Sequence, residues 1–308
     1  MPRSMRNLSD KSIVILAIAI IFFTNGGSPV LTKIALREIS PEYYSFLRFI
    51  IASLFLLPFF LKGKIKFNKD LLVLVLVSLI LTLNILAFAY GIKLTTTVIS
   101  SLLYVLGPVL VAIFSYFLLK ERIAQAKVLG IILGILGSAL VILLPVIQYG
   151  NPSAGSLLGN FLILIGVFST ALYTTLSKKL HVKFSPIQVT TIFSLTTCFV
   201  MLSLSFREVI ENPGLVFNLS GITLFAVFYV GAVCTALYYL LLQYVIKHAN
   251  PLAASTNLFL NPVSTFAWAS FLLAESITLL LILGGFFVLL GTFFIIKSAK
   301  TNEIDIEP

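Results

Sequence analysis

Ten long apolar segments, separated by short polar ones, fill almost the whole chain. They lie at about residues 12–36, 41–61, 70–91, 95–119, 126–145, 156–179, 186–206, 219–246, 251–273 and 278–297. Each is close to the roughly 20 residues that an α-helix needs to cross a bilayer. Their apolar residues lack the alternation that strands of a membrane β-barrel show. The pattern predicts an all-α membrane protein with ten transmembrane helices, preceded by a short polar tail at residues 1–11.

The second half of the chain repeats the first at fixed offsets. An offset of 154 residues relates Lys93 to Lys247, Pro108 to Pro262, Glu121 to Glu275, Gly130 to Gly284 and Gly137 to Gly291. An offset of 145 residues relates Lys33 to Lys178 and Ser40-Pro41 to Ser185-Pro186. We therefore expect two five-helix repeats, at residues 1–150 and 151–308. Because five is odd, the second repeat enters the membrane from the opposite face, which is the inverted topology of many secondary transporters.

Composition and loop charges agree with this topology. Apolar residues make up 59% of the chain and charged residues 10%, against about 25% charged residues in a soluble domain. If the N-terminus is cytoplasmic, 16 of the 21 lysines and arginines fall on the cytoplasmic side, 4 fall outside, and Arg48 lies within a span. The positive-inside rule thus predicts a multi-pass protein of the cell membrane (plasma or inner) with both termini cytoplasmic. It also explains the net charge of +10 without nucleic acid as a partner.

Short motifs recur in both halves of the chain. The first copy has Lys33, Ser40-Pro41, Leu47-Arg48-Phe49, Asn84 to Tyr90, Gly107-Pro108, Leu119-Lys120-Glu121-Arg122, Gly130, Gly134 and Gly137. The second copy has Asn261-Pro262, Leu273-Ala274-Glu275 and Gly284 to Gly291. With these motifs the chain resembles the EamA-type branch of the drug/metabolite transporter superfamily. One departure is Thr24-Asn25-Gly26-Gly27, where the family usually has Trp-Gly near the start of helix 1. The resemblance implies ten helices and export or uptake of small metabolites, often amino acids. It also implies a central cavity walled chiefly by helices 1, 3, 4, 6, 8 and 9.

Eight polar or aromatic residues within the spans are candidates for substrate binding. They are Asn25, Asn84, Tyr104, Tyr173, Tyr238, Asn257, Asn261 and Trp268. In helix 9, the two asparagines, Ser264 and the tryptophan recur at i, i+4, i+7 and i+11, which places them on one face. Two carboxamides and an indole on one stripe suit a ligand with polar and flat apolar parts. Hydrogen bonding between neighbouring membrane helices is an equally open interpretation.

Six further residues are candidates for hinges or gates. They are Gly26, Gly27, Pro29, Arg48, Pro108 and Pro262. Pro29 removes a backbone hydrogen bond, and the glycines before it loosen the turn, so a hinge, a substrate contact or a packing kink is expected there. Arg48 is the only charge clearly inside a span. Such a charge faces a cavity, pairs with a partner or extends to the interface, and we favour a structural or gating role over substrate contact.

The ends of the helices carry charged residues whose roles can be predicted. Lys33 is expected to reach the outer membrane interface, and Lys178 and Lys179 the inner one. Glu121 and Glu275 stand before helices 5 and 10, where a carboxylate near a helix N-terminus is stabilised by free N–H groups. Glycines at 130, 134, 137, 284, 285 and 291 allow close helix packing, which we expect inside a monomer rather than in a homodimer.

No cluster of residues suggests catalysis, a metal site or a cofactor. No Asp or Glu falls at mid-membrane, His181 and His248 lie in loops, and Cys198 and Cys234 are expected to be free thiols in the spans. The prediction is a carrier rather than an enzyme, with a small-molecule substrate and the lipid bilayer as its partners. Because a carboxylate proton relay has no obvious member, we hypothesise a facilitator or an unusual ion coupling. A membrane-embedded enzyme, a channel and a receptor are the alternatives.

Overall fold

A computed structural model of the chain describes residues 3–63, 69–120, 125–148, 155–255, 257–273, 275 and 279–304. All secondary structure in these ranges is helical. The α-helices are α1 (Arg3–Asn25), α2 (Ser28–Ala35), α3 (Pro41–Phe60), α4 (Lys69–Leu94), α5 (Thr97–Tyr104), α6 (Gly107–Leu119), α7 (Gln125–Ile147), α8 (Leu157–Leu180), α9 (Pro186–Glu211), α10 (Gly221–Gly231), α11 (Tyr238–His248), α12 (Pro251–Ser255), α13 (Asn257–Leu273) and α14 (Leu279–Ile304). A π-helical turn (Ala232–Leu237) joins α10 to α11, and a short 3₁₀ helix (Leu215–Asn218) precedes α10.

Six helical runs in the described ranges are long and apolar enough to cross a membrane. They are Pro41–Phe60, Lys69–Leu94, Thr97–Leu119, Leu157–Leu180, Pro186–Glu211 and Gly221–His248. Four shorter apolar stretches, Ser12–Ile21, Val128–Val141, Ser264–Leu273 and Ile282–Gly291, fall in the other predicted spans. Large apolar side chains cover the outer surface, and Phe271, for example, is 89% exposed. An exposed apolar surface of this extent fits a lipid environment and not water.

Two helices begin at the repeated Ser-Pro pairs, and two features of the helices differ from the prediction. Pro41 and Pro186 open α3 and α9 directly after serine caps, where the missing N–H costs nothing. Residues 3–11 are not a separate polar tail, because α1 begins at Arg3. The π-helical turn in the eighth span was not predicted. The first span is two helices that meet at Gly26 and Gly27, just before Pro29, where a hinge or kink was expected.

Helices from the two halves of the chain pack against each other in pairs. Extensive contacts join α7 to α14, α4 to α8 and α3 to α9. The α7–α14 pair is close because glycines face each other. A Cβ on Gly291 would lie 2.5 Å from the Gly130 carbonyl oxygen, and one on Gly137 would lie 2.6 Å from the Val288 nitrogen. The predicted close packing of these glycines within the chain is confirmed.

Two of the lysines predicted at the membrane interfaces bind carbonyl groups at helix ends. Lys33 Nζ donates to the Thr95 carbonyl oxygen at 2.6 Å and pairs with Glu275 Oε1 at 3.0 Å. Lys178 Nζ donates to the Ala249 carbonyl oxygen at 2.7 Å. Thr95 and Ala249 directly follow α4 and α11, where carbonyl groups lack partners within the helix. Each ammonium thus holds a helix end, and the position of these lysines at a membrane interface stays a prediction.

Glu275 stabilises a helix N-terminus that is distant in the chain. Its carboxylate accepts hydrogen bonds from the Thr97 N–H at 2.9 Å, the Thr97 hydroxyl at 2.8 Å and the Val98 N–H at 3.2 Å. It therefore caps α5, while the residues between it and α14 lie outside the described part of the chain. The equivalent Glu121 lies outside the described residues. We call the end of the bundle with Lys33 and Glu275 the Lys33 end, and the opposite end, with Lys178, the Lys178 end.

Candidate functional site

A central cavity lies among the helices of both halves. It encloses about 640 Å³ that no atom fills, a figure that includes its open side. Seven of the fourteen residues singled out from the sequence line it: Asn25, Pro29, Arg48, Asn84, Tyr104, Tyr238 and Asn261. The other lining residues are Ser28, Ile85, Phe88, Ser100, Ser101, Thr170, Cys234, Tyr239 and Leu258.

The break between α1 and α2 brings Asn25 and Pro29 to the cavity wall. Gly26 and Gly27 form the turn, and α13 packs directly against them. A Cβ on Gly26 would lie 1.7 Å from Ser264 Oγ, and one on Gly27 would lie 3.2 Å from the Trp268 ring. The turn therefore needs glycine for close approach. The polar stripe of α13 faces this break, but Trp268 packs on the glycine and does not line the cavity.

Two residues on α4 and α5 form a polar contact inside the cavity. Asn84 donates from Nδ2 to the Tyr104 hydroxyl at 2.5 Å and to the Gly166 carbonyl oxygen at 2.8 Å. Tyr104 also packs edge-on against Phe88, with ring centroids 5.8 Å apart. The Asn84 amide thus links both halves through α8, and the Tyr104 ring has a fixed position at the wall.

Arg48 reaches the cavity from α3 and is held by the π-helical turn. It is buried, with 5% of its surface exposed. Its Nε and Nη2 both donate to Thr235 Oγ1, at 3.1 and 2.9 Å. Thr235 in turn donates to the Val230 carbonyl oxygen, five residues back, at 2.7 Å. This bond within the π-helical turn orients the threonine oxygen toward the guanidinium. π-bulges of this kind are frequent at functional sites.

A second, smaller cavity of about 260 Å³ lies next to the first, toward the Lys178 end. Tyr238, Thr170 and Leu258 line both cavities. Asn257 lines the smaller one, and both atoms of its buried carboxamide lack a hydrogen-bond partner among the described residues. Unpaired buried amide groups are costly, so this cavity is suited to water or to part of a polar ligand.

Besides Gly26, Gly27 and Trp268, three predicted residues lie away from both cavities in this structure. Tyr173 is fully buried, accepts a hydrogen bond from Gln243 Nε2 at 2.9 Å and packs near Phe193. Pro108 is buried in the first turn of α6, where its missing N–H costs nothing. Pro262 is buried within α13, where it removes a backbone hydrogen bond. The structure does not bring Tyr173 or either proline to the cavity walls.

A hydrogen-bonded chain connects Tyr173 to the end of α8. His181 Nε2 lies 2.8 Å from Gln243 Oε1, and Gln243 donates on to Tyr173 and to Ser177. Burial lowers the pKa of His181, and the neighbouring Lys247 and Lys178 act in the same direction. His181 was predicted to lie in a loop; it caps α8 but its side chain is buried.

Several cavity residues were missed in the sequence. Ser100 is fully buried at the wall, and its hydroxyl has no partner among the described residues. It belongs to the run of hydroxyl residues from Thr95 to Ser101, which was a usable signal. Cys234, at the wall, and Thr235, which holds Arg48, were missed because a π-turn changes which residues of a span face inward. A helical periodicity of 3.6 does not predict that change.

The part of the chain that the structure describes contains no group of three or more His, Cys, Asp or Glu residues able to hold a metal ion. Its two cysteines are free, as expected. The site thus offers hydroxyls, carboxamides, aromatic rings and one guanidinium. Such a set can bind a ligand by hydrogen bonding, stacking and charge.

Known proteins with similar sequences are membrane transporters. The model of the EamA-like transporter family matches residues 12–143 and 157–297. An uncharacterized transporter of Archaeoglobus fulgidus is 28% identical over 288 residues, covering 93% of this chain and 99% of its own. The uncharacterized transporter YetK of Bacillus subtilis is 34% identical over 176 residues, covering 55% of this chain and 53% of its own.

One solved crystal structure has a similar fold. It superposes with a TM-score of 0.64 at 18% sequence identity, covering 96% of this chain and 99% of the other. At that identity the likeness concerns the fold alone. It extends over both halves of the chain, so no large part of the helical bundle lacks a counterpart.

Proposed function

This chain belongs to the EamA-like transporter family, and we propose that it is a secondary carrier that moves a small polar or amphipathic metabolite by alternating access. Amino acids and related compounds are the first class to test. The single observation that carries this proposal is the polar, aromatic-walled cavity enclosed by helices of both halves. Cavities at the interface of two repeats are the usual substrate sites of such carriers.

The proposed architecture is ten transmembrane helices in two inverted repeats, at residues 1–150 and 151–308. The six long apolar helices supply six of these crossings, and the four shorter apolar stretches are proposed to supply the other four. The family model also matches once in each half. The extensive α7–α14 and α3–α9 contacts pair equivalent spans of the two repeats. These three features support the repeat, and with the loop charges they support cytoplasmic termini.

Two lysine contacts follow the same symmetry. The offset of 145 relates Lys33 to Lys178, and the offset of 154 relates their acceptors, the carbonyl oxygens of Thr95 and Ala249. Each lysine thus holds an equivalent helix junction, one at each end of the bundle. Equivalent contacts at opposite ends are what two oppositely inserted copies of one fold would produce.

The geometry also supports access from one end at a time. At the Lys33 end, the Lys33–Glu275 pair joins α2 to the segment after α13 and, through Thr97, to α5. In this proposal these contacts close the cavity at that end. The smaller cavity continues from the central one toward the Lys178 end. We propose that the structure corresponds to a state closed at the Lys33 end.

Substrate counterflow in proteoliposomes tests the carrier proposal. Amino acids, nucleosides, sugars and polyamines are offered with the same unlabelled compound trapped inside. We expect counterflow of one class, and a loss of at least tenfold in Asn261→Ala and Tyr238→Phe, while Asn212→Ala at the exposed end of α9 transports normally. If both cavity variants insert and transport like wild type, the cavity assignment is wrong. Accumulation driven by an imposed pH gradient would rule out simple facilitation.

A further inference from the structure

The guanidinium of Arg48 is a buried charge without a charged partner. The ion pairs of the described residues are Lys33–Glu275, Lys183–Asp70 and Arg207–Glu211, and none includes Arg48. Its contacts are the Thr235 hydroxyl and the face of the Phe49 ring, 5.2 Å from Cζ. A buried charge is costly unless it is paired and hydrogen-bonded, and charges inside the membrane are mostly functional.

The other groups near Arg48 do not supply a negative charge. Tyr44, Tyr239 and Cys234 are close enough to interact with it electrostatically. Phenols and thiols are neutral at pH 7 in their ordinary state. No carboxylate of the described chain compensates the guanidinium, and the cavity beside it is where a compensating anion could enter.

The edge of the Arg48 guanidinium formed by Nη1 and Nη2, here called its free edge, has the geometry to bind a carboxylate. An arginine has five N–H donors, and Thr235 uses one from Nε and one from Nη2. The two donors on Nη1 and the second one on Nη2 make no hydrogen bond to the described residues. Two parallel N–H groups from Nη1 and Nη2 match the two oxygens of a carboxylate. Arg48 lines the cavity, so this edge can meet a ligand there.

The rest of the cavity wall fits an amphipathic acid. The Ser100 hydroxyl, fully buried and unpartnered, and the carboxamides of Asn25 and Asn261 provide further hydrogen-bonding groups. Aromatic rings of Phe88 and Tyr238 line the cavity as well. Sites that bury a small ligand generally combine such apolar walls with a few placed polar groups.

We propose that the transported compound carries a carboxylate, which Arg48 binds through its free edge, and an apolar part that the aromatic walls contact. The inference rests on the proposed carrier function and adds a substrate class to it. It also replaces the structural or gating role favoured for Arg48 from the sequence. Thr235 is then a positioning residue, since its hydroxyl fixes the orientation of the guanidinium.

Thermal-shift titration with matched pairs of acids and amides tests this assignment. The pairs are L-phenylalanine with L-phenylalaninamide, L-leucine with L-leucinamide, and 3-phenylpropionate with 3-phenylpropanamide. A bound ligand raises the melting temperature by mass action. We expect acids to stabilise the wild type and their amides to have little effect. Arg48→Gln should weaken acid binding at least about tenfold, the loss of one strong charged hydrogen-bonded contact.

Two variants show whether the charge and its geometry are responsible. Arg48→Lys keeps the charge but loses the paired donors, so its affinity should lie between those of wild type and Arg48→Gln. Arg207→Gln removes an exposed arginine from α9 and should bind like wild type. The carboxylate assignment is wrong if the wild type binds the amides as tightly as the acids. It is also wrong if Arg48→Gln binds the acids as tightly as the wild type does.

The melting temperature without ligand shows whether Arg48→Gln loses binding only because it folds poorly. Because Arg48 lacks a counter-charge, Arg48→Gln should melt no lower than wild type. A marked drop, with no melting difference for Arg207→Gln, would instead indicate a structural arginine. Counterflow separates this inference from the carrier proposal. Transport of neutral or cationic compounds alone would support the carrier proposal and contradict the carboxylate assignment. Binding of acids through Arg48 without any transport would support the carboxylate assignment and contradict the carrier proposal.

Discussion

The ion pair at the Lys33 end should control access to the central cavity. Glu275 accepts hydrogen bonds from Lys33, from two backbone N–H groups of α5 and from the Thr97 hydroxyl. Glu275→Gln keeps the size of the side chain and removes its charge. Lys33 keeps the Thr95 carbonyl oxygen as an acceptor and loses its charged partner. The substitution weakens the contacts between α2, α5 and the end of α13, which exist in the state closed at this end.

The size of the effect follows from burial. The side chains of Lys33 and Glu275 are 22% and 9% exposed. Removing one partner of a buried pair costs about 3–5 kcal/mol, and the partial exposure of the lysine places this pair at about 3 kcal/mol. If the state open at the Lys33 end lacks these contacts, the equilibrium between the two states shifts toward it by about a hundredfold.

Labelling of Cys234 measures this shift. The thiol is 2% exposed, lines the cavity and donates to the Thr24 carbonyl oxygen at 3.3 Å. In a Cys198→Ser background it is the sole cysteine. A membrane-impermeant maleimide is added to sealed vesicles that expose the Lys33 end. We expect Glu275→Gln to raise the labelling rate by one to two orders of magnitude.

Two comparisons make the result specific. Glu211→Gln removes an exposed ion pair with Arg207, and such surface pairs contribute about 0–1 kcal/mol, so labelling should not change. Adding Lys33→Met to Glu275→Gln should lower labelling again, because the unpaired lysine is removed. Equal labelling of wild type and Glu275→Gln would refute the view that this pair closes the cavity.

Three further predictions concern packing, pH and the position of the cavity arginine. Gly291→Ala should lower stability by about 1–3 kcal/mol, because its Cβ would meet the Gly130 carbonyl oxygen, whereas Gly221→Ala, with no atom within 4 Å, should be neutral in thermal melts. Burial lowers the pKa of His181, so the unfolded chain binds a proton at this residue at a higher pH than the folded chain does. Stability is therefore highest above about pH 6.5 and declines below it. In His181→Gln the melting temperature should change less between pH 5 and 7 than in wild type. Thr235→Val should weaken acid binding severalfold, and Thr235→Ser should restore it; equal affinities would contradict the positioning role.

Much of the fold was predictable because the bilayer imposes simple rules. The length of each apolar run predicted the helical segments. The repeated Ser-Pro pairs at Pro41 and Pro186 stand where two helices begin. The break at Gly26 and Gly27 was indicated by Pro29, since a proline removes a backbone hydrogen bond whatever its surroundings. Each of these signals acts through the local chain, and so the sequence alone contained them.

The parts that the sequence did not indicate depend on contacts between distant segments. The contacts of Lys33 were not predicted, because its acceptors on Thr95 and Glu275 are far away in the chain. A structural or gating role was favoured for Arg48 from the sequence. Its surroundings, which hold Thr235 and no carboxylate of the described chain, are known only once α3 and the π-helical turn are placed together. Tyr173 was assigned to substrate binding by type and depth, but Gln243 holds it outside the cavities.

The central claim, that two inverted halves expose one cavity to each end in turn, is tested most directly by paired distances. Spin labels replace exposed Arg37 and Phe271 at the Lys33 end, and their repeat equivalents Val182 and Phe117 at the Lys178 end. Pulsed dipolar spectroscopy measures both distances in cysteine-free protein with and without a transported compound. We predict that one distance lengthens as the other shortens. Two distances that stay fixed, or that lengthen together, would contradict alternating access.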